Sequence, residues 1–292
     1  MERQHVVIIG AGRMGQGLAL ALSAAGADVA LFSRRSRSLV PPLALHPGPR
    51  AGQVRAAELV LLATPDDVIP HAAAELADEG AVGRPQVVLH LSGLLDRRAL
   101  RSLDATGAAL GSFHPLQTIV EPSTAARRLA GCYAGIEGDA RALAAGTRLA
   151  GDLRMHPVVL ATDRKAGYHA GAVFAANYTV VLAGIAEHLA REAGVPPEIA
   201  GRLYLPLMRG AVSNLDLGPV AALTGPIRRG DLGTIRAHLA ALPPADRQLY
   251  RGLGVAALRL ARQAGLDAAS ARKVEQILTD QDDPETFSPG HP

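Results

Sequence analysis

The sequence predicts an α/β domain with a mostly parallel sheet, followed by an all-α domain built on one long central helix. Three observations lead there. The first is a β-branched run, Val6-Val7-Ile8-Ile9, that leads straight into a glycine-rich turn and an apolar helix, Leu18-Ala19-Leu20-Ala21-Leu22. The second is a series of further short apolar runs separated by turn and helix signals, as far as about residue 160. The third is a change of pattern after Thr162, where no proline occurs until Pro196 and the apolar spacing is helical throughout.

The turn Gly10-Ala11-Gly12-Arg13-Met14-Gly15 has the spacing G-x-G-x-x-G, with a strand before it and a helix after it. In this Rossmann-like unit Gly10 permits the tight turn, Gly12 lets a pyrophosphate approach the backbone, and Gly15 lets the helix pack on the strand. The helix start, with Arg13 and Met14, supplies free N–H groups and the positive end of a dipole. A second strand, Val29–Phe32, ends at Ser33-Arg34-Arg35. The acid that would hold an NAD ribose is missing there. A hydroxyl and two guanidinium groups suit a 2′-phosphate, so the expected cofactor is NADP(H). Residues 36–52 are rich in Pro, Ser and Arg and shorten the next helix. The strand Glu58–Ala63 follows, and Ala63-Thr64-Pro65 at its carboxyl end is a further cofactor contact, with Asp66 or Asp67 expected to cap the next helix. Strands are expected at 86–91, 131–136 and 155–160, and helices near 97–103 and 140–149. Pro115 keeps His114 out of the α region and places it on an extended turn.

The second half reads as a helix of about 163–193, then helices at 197–213, 231–241, 245–264 and 268–280, with a polar tail after 280. The boundaries are therefore 1–160 for the nucleotide domain, 161–280 for the helical domain and 281–292 for the tail. Thr224-Gly225-Pro226 forms a turn and Asp231 caps the helix after it.

Composition narrows the partners. The net charge is +3 and basic residues are dispersed, with aromatics at 3%, which argues against nucleic acid. One cysteine, Cys132, excludes a disulfide framework and a cysteine metal site, and no metal is expected. The N-terminus has no signal-peptide pattern, and the apolar part of the long helix is bracketed by Asn177 and Glu187. A cytoplasmic protein that does not span a membrane is expected. Only two lysines occur among 30 Lys and Arg residues, and Lys165 is one of them. Lys165, His169 and Asn177 share a sector of roughly 120° on the predicted helix. Ser92 and His114 lie at the carboxyl end of the sheet. These five are the candidate catalytic residues, because hydride transfer to a C=O or C=N group needs a nearby proton donor and orienting polar groups.

Gly111-Ser112-Phe113-His114-Pro115-Leu116-Gln117-Thr118, Tyr168-His169 with Asn177, and Leu223-Thr224-Gly225-Pro226-Ile227-Arg228-Arg229-Gly230-Asp231 are similar to motifs of a bacterial subfamily of Rossmann-like oxidoreductases. More broadly, the chain resembles NADP-dependent reductases with a helical domain of the 6-phosphogluconate dehydrogenase type. These include β-hydroxyacid dehydrogenases, ketopantoate reductases, pyrroline-carboxylate reductases and prephenate dehydrogenases. The resemblance implies a homodimer formed through the helical domain and a small substrate in a cleft between the domains. Lys165 matches the catalytic lysine of the first two groups, but the position four residues on is His169 where they have Asn. Ser92 and the stretch ending His114-Pro115 look like the Ser and G-x-H-P of prephenate dehydrogenases, with one extra residue before the His. The function expected is hydride transfer between NADP(H) and a small carbonyl or imine compound. The alternatives are a silent NADP-binding sensor or scaffold, and an enzyme that exchanges hydride with a deazaflavin.

Overall fold

The computed structural model describes residues 4–34, 38–46 and 50–280. The chain divides into two compact units, Met1–Tyr178 and Thr179–Pro292. The division falls inside the long helical stretch, so residues 162–178 belong with the sheet.

The first unit is a seven-stranded sheet in the order β2-β1-β3-β4-β5-β6-β7. Its strands are β1 (His5–Ile9), β2 (Asp28–Phe32), β3 (Leu59–Leu62), β4 (Val87–His90), β5 (Ala109–Pro115), β6 (Tyr133–Gly138) and β7 (His156–Val159). All neighbours are parallel except β5 and β6, which run antiparallel. The two faces follow from the period-2 alternation of a strand. Val6 and Ile8 join a core with Leu18 and Leu22 of α1 (Arg13–Ala24) and with Phe113, Ile136 and Leu149. Val7 and Ile9 join the opposite core with Val54 of α2 (Arg50–Ala56) and Ile69 and Leu76 of α3 (Ile69–Asp78). α2 has only seven residues, as the proline-rich approach to it foretells. The other helices on the sheet are α4 (Ala125–Leu129) and α5 (Ala140–Asp152).

The expected long helix is present but not uniform. It runs as α6 (Lys165–Ala172), a π-helical turn (Val173–Asn177) and α7 (Tyr178–Glu192). In the second unit, the expected helix 197–213 is broken into α8 (Pro197–Leu203) and α9 (Leu205–Asn214) at Tyr204, because Pro206 cannot supply an N–H within a continuous helix. Ile235, Leu239, Leu258, Val274 and Leu278 form the core of this unit. Asp231 caps its helix as expected, accepting from the Thr234 N–H at 3.1 Å. The expected tail 281–292 lies outside the described residues.

Two local expectations are corrected. Neither Asp66 nor Asp67 caps α3, whose first turn starts from Val68 without a side-chain cap; Asp66 instead accepts from the Ser92 hydroxyl at 2.8 Å. His114 is not on a turn but within β5, because the antiparallel partner β6 extends the ladder to Pro115.

Candidate active site

The glycine turn ends β1 against the end of β3. Gly10 has a φ of +121°, and a Cβ there would lie 2.4 Å from the Ala63 carbonyl oxygen. A Cβ on Gly15 would lie 1.9 Å from the Gly10 carbonyl oxygen. Both positions therefore need glycine for packing alone. Gly12 differs, since a Cβ there would meet nothing within 4 Å. It starts α1 in an extended conformation with no side-chain cap, which leaves the first N–H groups of the helix, those of Arg13 and Met14 among them, for an anion. Beside this turn, Thr64 follows Ala63 and precedes Pro65. Its Oγ1 is buried without a hydrogen-bond partner, a cost that a bound polar group would remove. Open space at Gly12, an uncapped helix start and an orphaned hydroxyl at the same sheet edge fit a dinucleotide pyrophosphate.

Past β2, Arg34 is largely exposed and pairs with Glu75 at 3.0 Å. The same carboxylate accepts from Arg50 at 3.2 Å, and Arg50 also pairs with Glu79. Arg35 lies outside the described residues. Ser33 is placed at the end of β2, at the position expected of it.

Four of the five candidate catalytic residues, Ser92, His114, Lys165 and His169, are brought together by the loop after β4, by β5 and by α6. Ser112 and His114 are two apart on β5 and share a face, opposite Glu137 and Gly135 of β6. Lys165, Tyr168 and His169 are at i, i+3 and i+4 on α6 and share a face in turn. Lys165 is seated on the Ser112–Glu137 pair. It is 1% exposed, and its ammonium donates to Ser112 Oγ at 2.6 Å and to the Ser92 carbonyl at 3.0 Å. Ser112 donates to the buried Glu137 carboxylate, which also accepts from Thr162 and the Arg97 N–H. Burial pulls the Lys165 ammonium down to about 8, against the attraction of Glu137, Asp96 and Asp66. The Lys165 nitrogen is thus enclosed and hydrogen-bonded within the site.

Tyr168 is seated on the His114–Gly135 pair. Its hydroxyl lies 3.1 Å from His114 Nδ1, and Gly135 is needed beneath it, since a Cβ there would lie 2.8 Å from the phenol oxygen. The His114 and His169 rings meet edge to face at 5.6 Å. Both crowd Gly93: a Cβ there would lie 2.5 Å from His169 Nδ1 and 2.9 Å from His114 Nε2. His169 Nδ1 is buried and has no partner. Burial, with His169 and Lys165 nearby, lowers His114 to about 4, so its ring is neutral at neutral pH.

Ser92 is the hinge of this arrangement. Its hydroxyl accepts from the Leu94 and Leu95 N–H groups and donates to Asp66, next in chain to the Thr64-Pro65 turn. Its own N–H donates to Nδ1 of His90, whose Nε2 donates to the Asp96 carbonyl; burial lowers His90 to about 4. Asn177 is not part of the cluster. It is exposed at the last position of the π turn, and the wider turn alters the 3.6-residue phase on which its alignment with His169 depends.

Asp66, His90, Gly93, Ser112, Glu137 and Tyr168 are additions that the sequence reading did not select. A signal existed for two of them. Glu137 is a carboxylate inside an apolar strand, and Tyr168 completes the i, i+3, i+4 face of α6.

Residues 5–87 match the family model described as NADP oxidoreductase, coenzyme F420-dependent. Residues 132–257 match the domain of unknown function DUF2520. No curated protein matches the chain. Among solved structures, the chain is similar to an inferred NADP oxidoreductase from Bacteroides fragilis, with 23% identity over 88% of this chain and 98% of that one and a TM-score of 0.68. It is similar to an imine reductase variant from Myxococcus stipitatus in complex with NAD+, with 19% identity, 93% and 99% coverage and a TM-score of 0.59. It is similar to the pyrroline carboxylate reductase of Plasmodium falciparum with NADP bound, with 10% identity, 96% and 100% coverage and a TM-score of 0.60. At these identities the likeness is one of fold. The chain thus carries a Rossmann-like segment similar to the first model and a second segment similar to the DUF2520 domain.

Proposed function

We propose that the protein is an NADP(H)-dependent oxidoreductase that transfers hydride between nicotinamide and a small carbonyl or imine compound. The observation that carries this reading is the convergence of the His114 and His169 ring nitrogens beside Gly93, at the same sheet edge as the open Gly12 turn. When bound, NADP(H) supplies or accepts the hydride at its nicotinamide. Gly12, the start of α1 and Thr64 would hold its pyrophosphate side, and Ser33 and Arg34 its 2′-phosphate. His114 and His169 face the substrate. A neutral imidazole polarises a substrate heteroatom through an N–H group or takes a proton from it in the oxidative direction. Lys165, Ser112 and Glu137 hold β5 and α6 in register so that the two imidazoles stay in place.

The purified protein is expected to bind NADPH, read by nucleotide fluorescence or calorimetry, and to oxidise it with at least one member of a panel of small ketones, aldehydes and cyclic imines. His114→Ala is expected to keep NADPH binding and lose turnover. Absence of NADPH binding refutes the reading.

The chain is further proposed to act as a homodimer through its helical unit and to work in the cytoplasm. By length and composition the stretch Thr162–Glu192 could cross a membrane. Its first part, however, includes Lys165, which is bonded into the sheet unit. The second unit exposes Val180, Leu207, Val212 and Leu217, an apolar surface that a second copy would cover. Sedimentation is expected to give twice the 30.2 kDa chain mass; a monomer at micromolar concentration refutes the dimer.

A further inference from the structure

The His114 ring can carry its single neutral-state proton on either nitrogen, and the choice decides whether the site offers a substrate a donor or an acceptor. The surroundings of Tyr168 bear on that choice. Burial raises the Tyr168 phenol above its ordinary range, so it keeps its proton at neutral pH. The phenol's O–H needs an acceptor, and among the described residues the hydroxyl's one hydrogen-bond partner is His114 Nδ1, at 3.1 Å. If Nδ1 carried the proton instead, the half-buried phenol O–H would be left without this acceptor, which is costly.

We propose that Tyr168 is a positioning residue that holds His114 with its proton on Nε2. The site then presents an N–H donor beside Gly93, to a reducible group whose heteroatom is an uncharged acceptor. This inference rests on the reductase reading for its substrate side. The substrate class it names is a ketone, an aldehyde or a neutral imine. A protonated iminium is disfavoured, because its N–H would meet another N–H. Of the neighbouring groups, Lys165 Nζ is committed to Ser112 and Ser92, and His169 Nδ1 is a second ring nitrogen at the same spot.

The test is nitrogen NMR of the full-length protein labelled with 15N-histidine, with the His114 signals assigned by their loss in His114→Ala. The wild type is expected to show Nδ1 as the unprotonated nitrogen and Nε2 as the protonated one. Tyr168→Phe keeps the ring over Gly135 and removes the hydroxyl, so the His114 signals should move toward a mixture of tautomers. Gly135→Ala pushes the phenol aside without removing it and should act in the same direction. NADPH affinity should stay within about twofold in Tyr168→Phe, and with an active substrate kcat should fall while the KM for NADPH holds. A wild-type proton on Nδ1, or a Tyr168→Phe spectrum identical to wild type, overturns the assignment. Failure of the reductase reading shows separately, as absent NADPH binding or turnover, because the tautomer measurement needs neither.

Discussion

Lys165→Met tests whether the enclosed ammonium is as strained as its surroundings imply. The substitution keeps a long unbranched side chain and removes the titrating group. Burial brings the Lys165 ammonium to about 8 in the folded protein, from an ordinary 10.5. A base depressed on folding binds fewer protons in the folded state across that interval, so stability rises with pH there. At pH 7 both states carry the proton, and the folded state bears a cost of about 3 kcal/mol. Between about pH 7 and pH 9.5 roughly 2 kcal/mol of that cost is relieved, because the folded ammonium loses its proton first. The assay is urea denaturation of wild type and variant at steps across this range. Burial also raises the Tyr168 and Tyr250 phenols, but both proteins contain them, so they cancel in the difference. Wild type should therefore gain about 2 kcal/mol relative to Lys165→Met on going from pH 7 to pH 9.5. Parallel curves, or a wild type that loses ground with rising pH, would refute the reasoning.

Three other predictions separate fold from ligand binding. Gly15→Ala places a Cβ against the Gly10 carbonyl, which cannot move aside, and should cost at least about 2 kcal/mol in urea denaturation. Gly12→Ala meets open space, so it should stay within about 1 kcal/mol of wild type yet bind NADPH weakly by calorimetry. Arg34→Ala breaks only an exposed pair with Glu75, so stability should change by less than about 1 kcal/mol; NADPH affinity should fall about tenfold or more while NADH affinity holds, and equal loss of both contradicts the 2′-phosphate role. On the acid side, burial holds His114 at about 4 in the folded protein. The unfolded ring takes a proton first, so stability is lost as pH falls from 6.5 toward 4. Relative to His114→Asn, wild type should lose up to about 1.4 kcal/mol per pH unit in that window.

The fold was legible wherever one local rule decides. Val6–Ile9 followed by G-x-G-x-x-G has few other solutions, and the proline-rich stretch before Arg50 leaves room only for a short helix. The site was half legible. Lys165, His114, His169 and Ser92, which lie together, could be picked out as candidates because chemistry-bearing side chains on sheet ends and helix faces are visible in a sequence. Their roles were not, because those depend on which strand lies beside which. The antiparallel pairing of β5 with β6 puts Glu137 opposite Ser112, and that pair gives the Lys165 ammonium its buried surroundings. The π turn has no clear sequence mark, and it moves Asn177 out of the group.

The same pairing explains why two glycines matter as much as two histidines. Gly135 lets the Tyr168 ring lie against β6, and Gly93 lets both imidazoles come down onto the loop after β4. In each case the glycine is where a side chain from β5 or α6 must approach a backbone. Ser92, next to Gly93, is tied through Asp66 to the loop that would contact the cofactor. Cofactor loop, Ser92, Gly93 and the histidine pair are thus one connected stretch of structure. A change at Asp66 should reach the histidines without touching them. Asp66→Asn can still accept from Ser92, so it should leave the His114 and His169 NMR signals in place. Asp66→Ala removes the acceptor, frees the Ser92 hydroxyl and should shift those signals. If the two variants give the same spectra, the loop and the histidines are not coupled through Ser92.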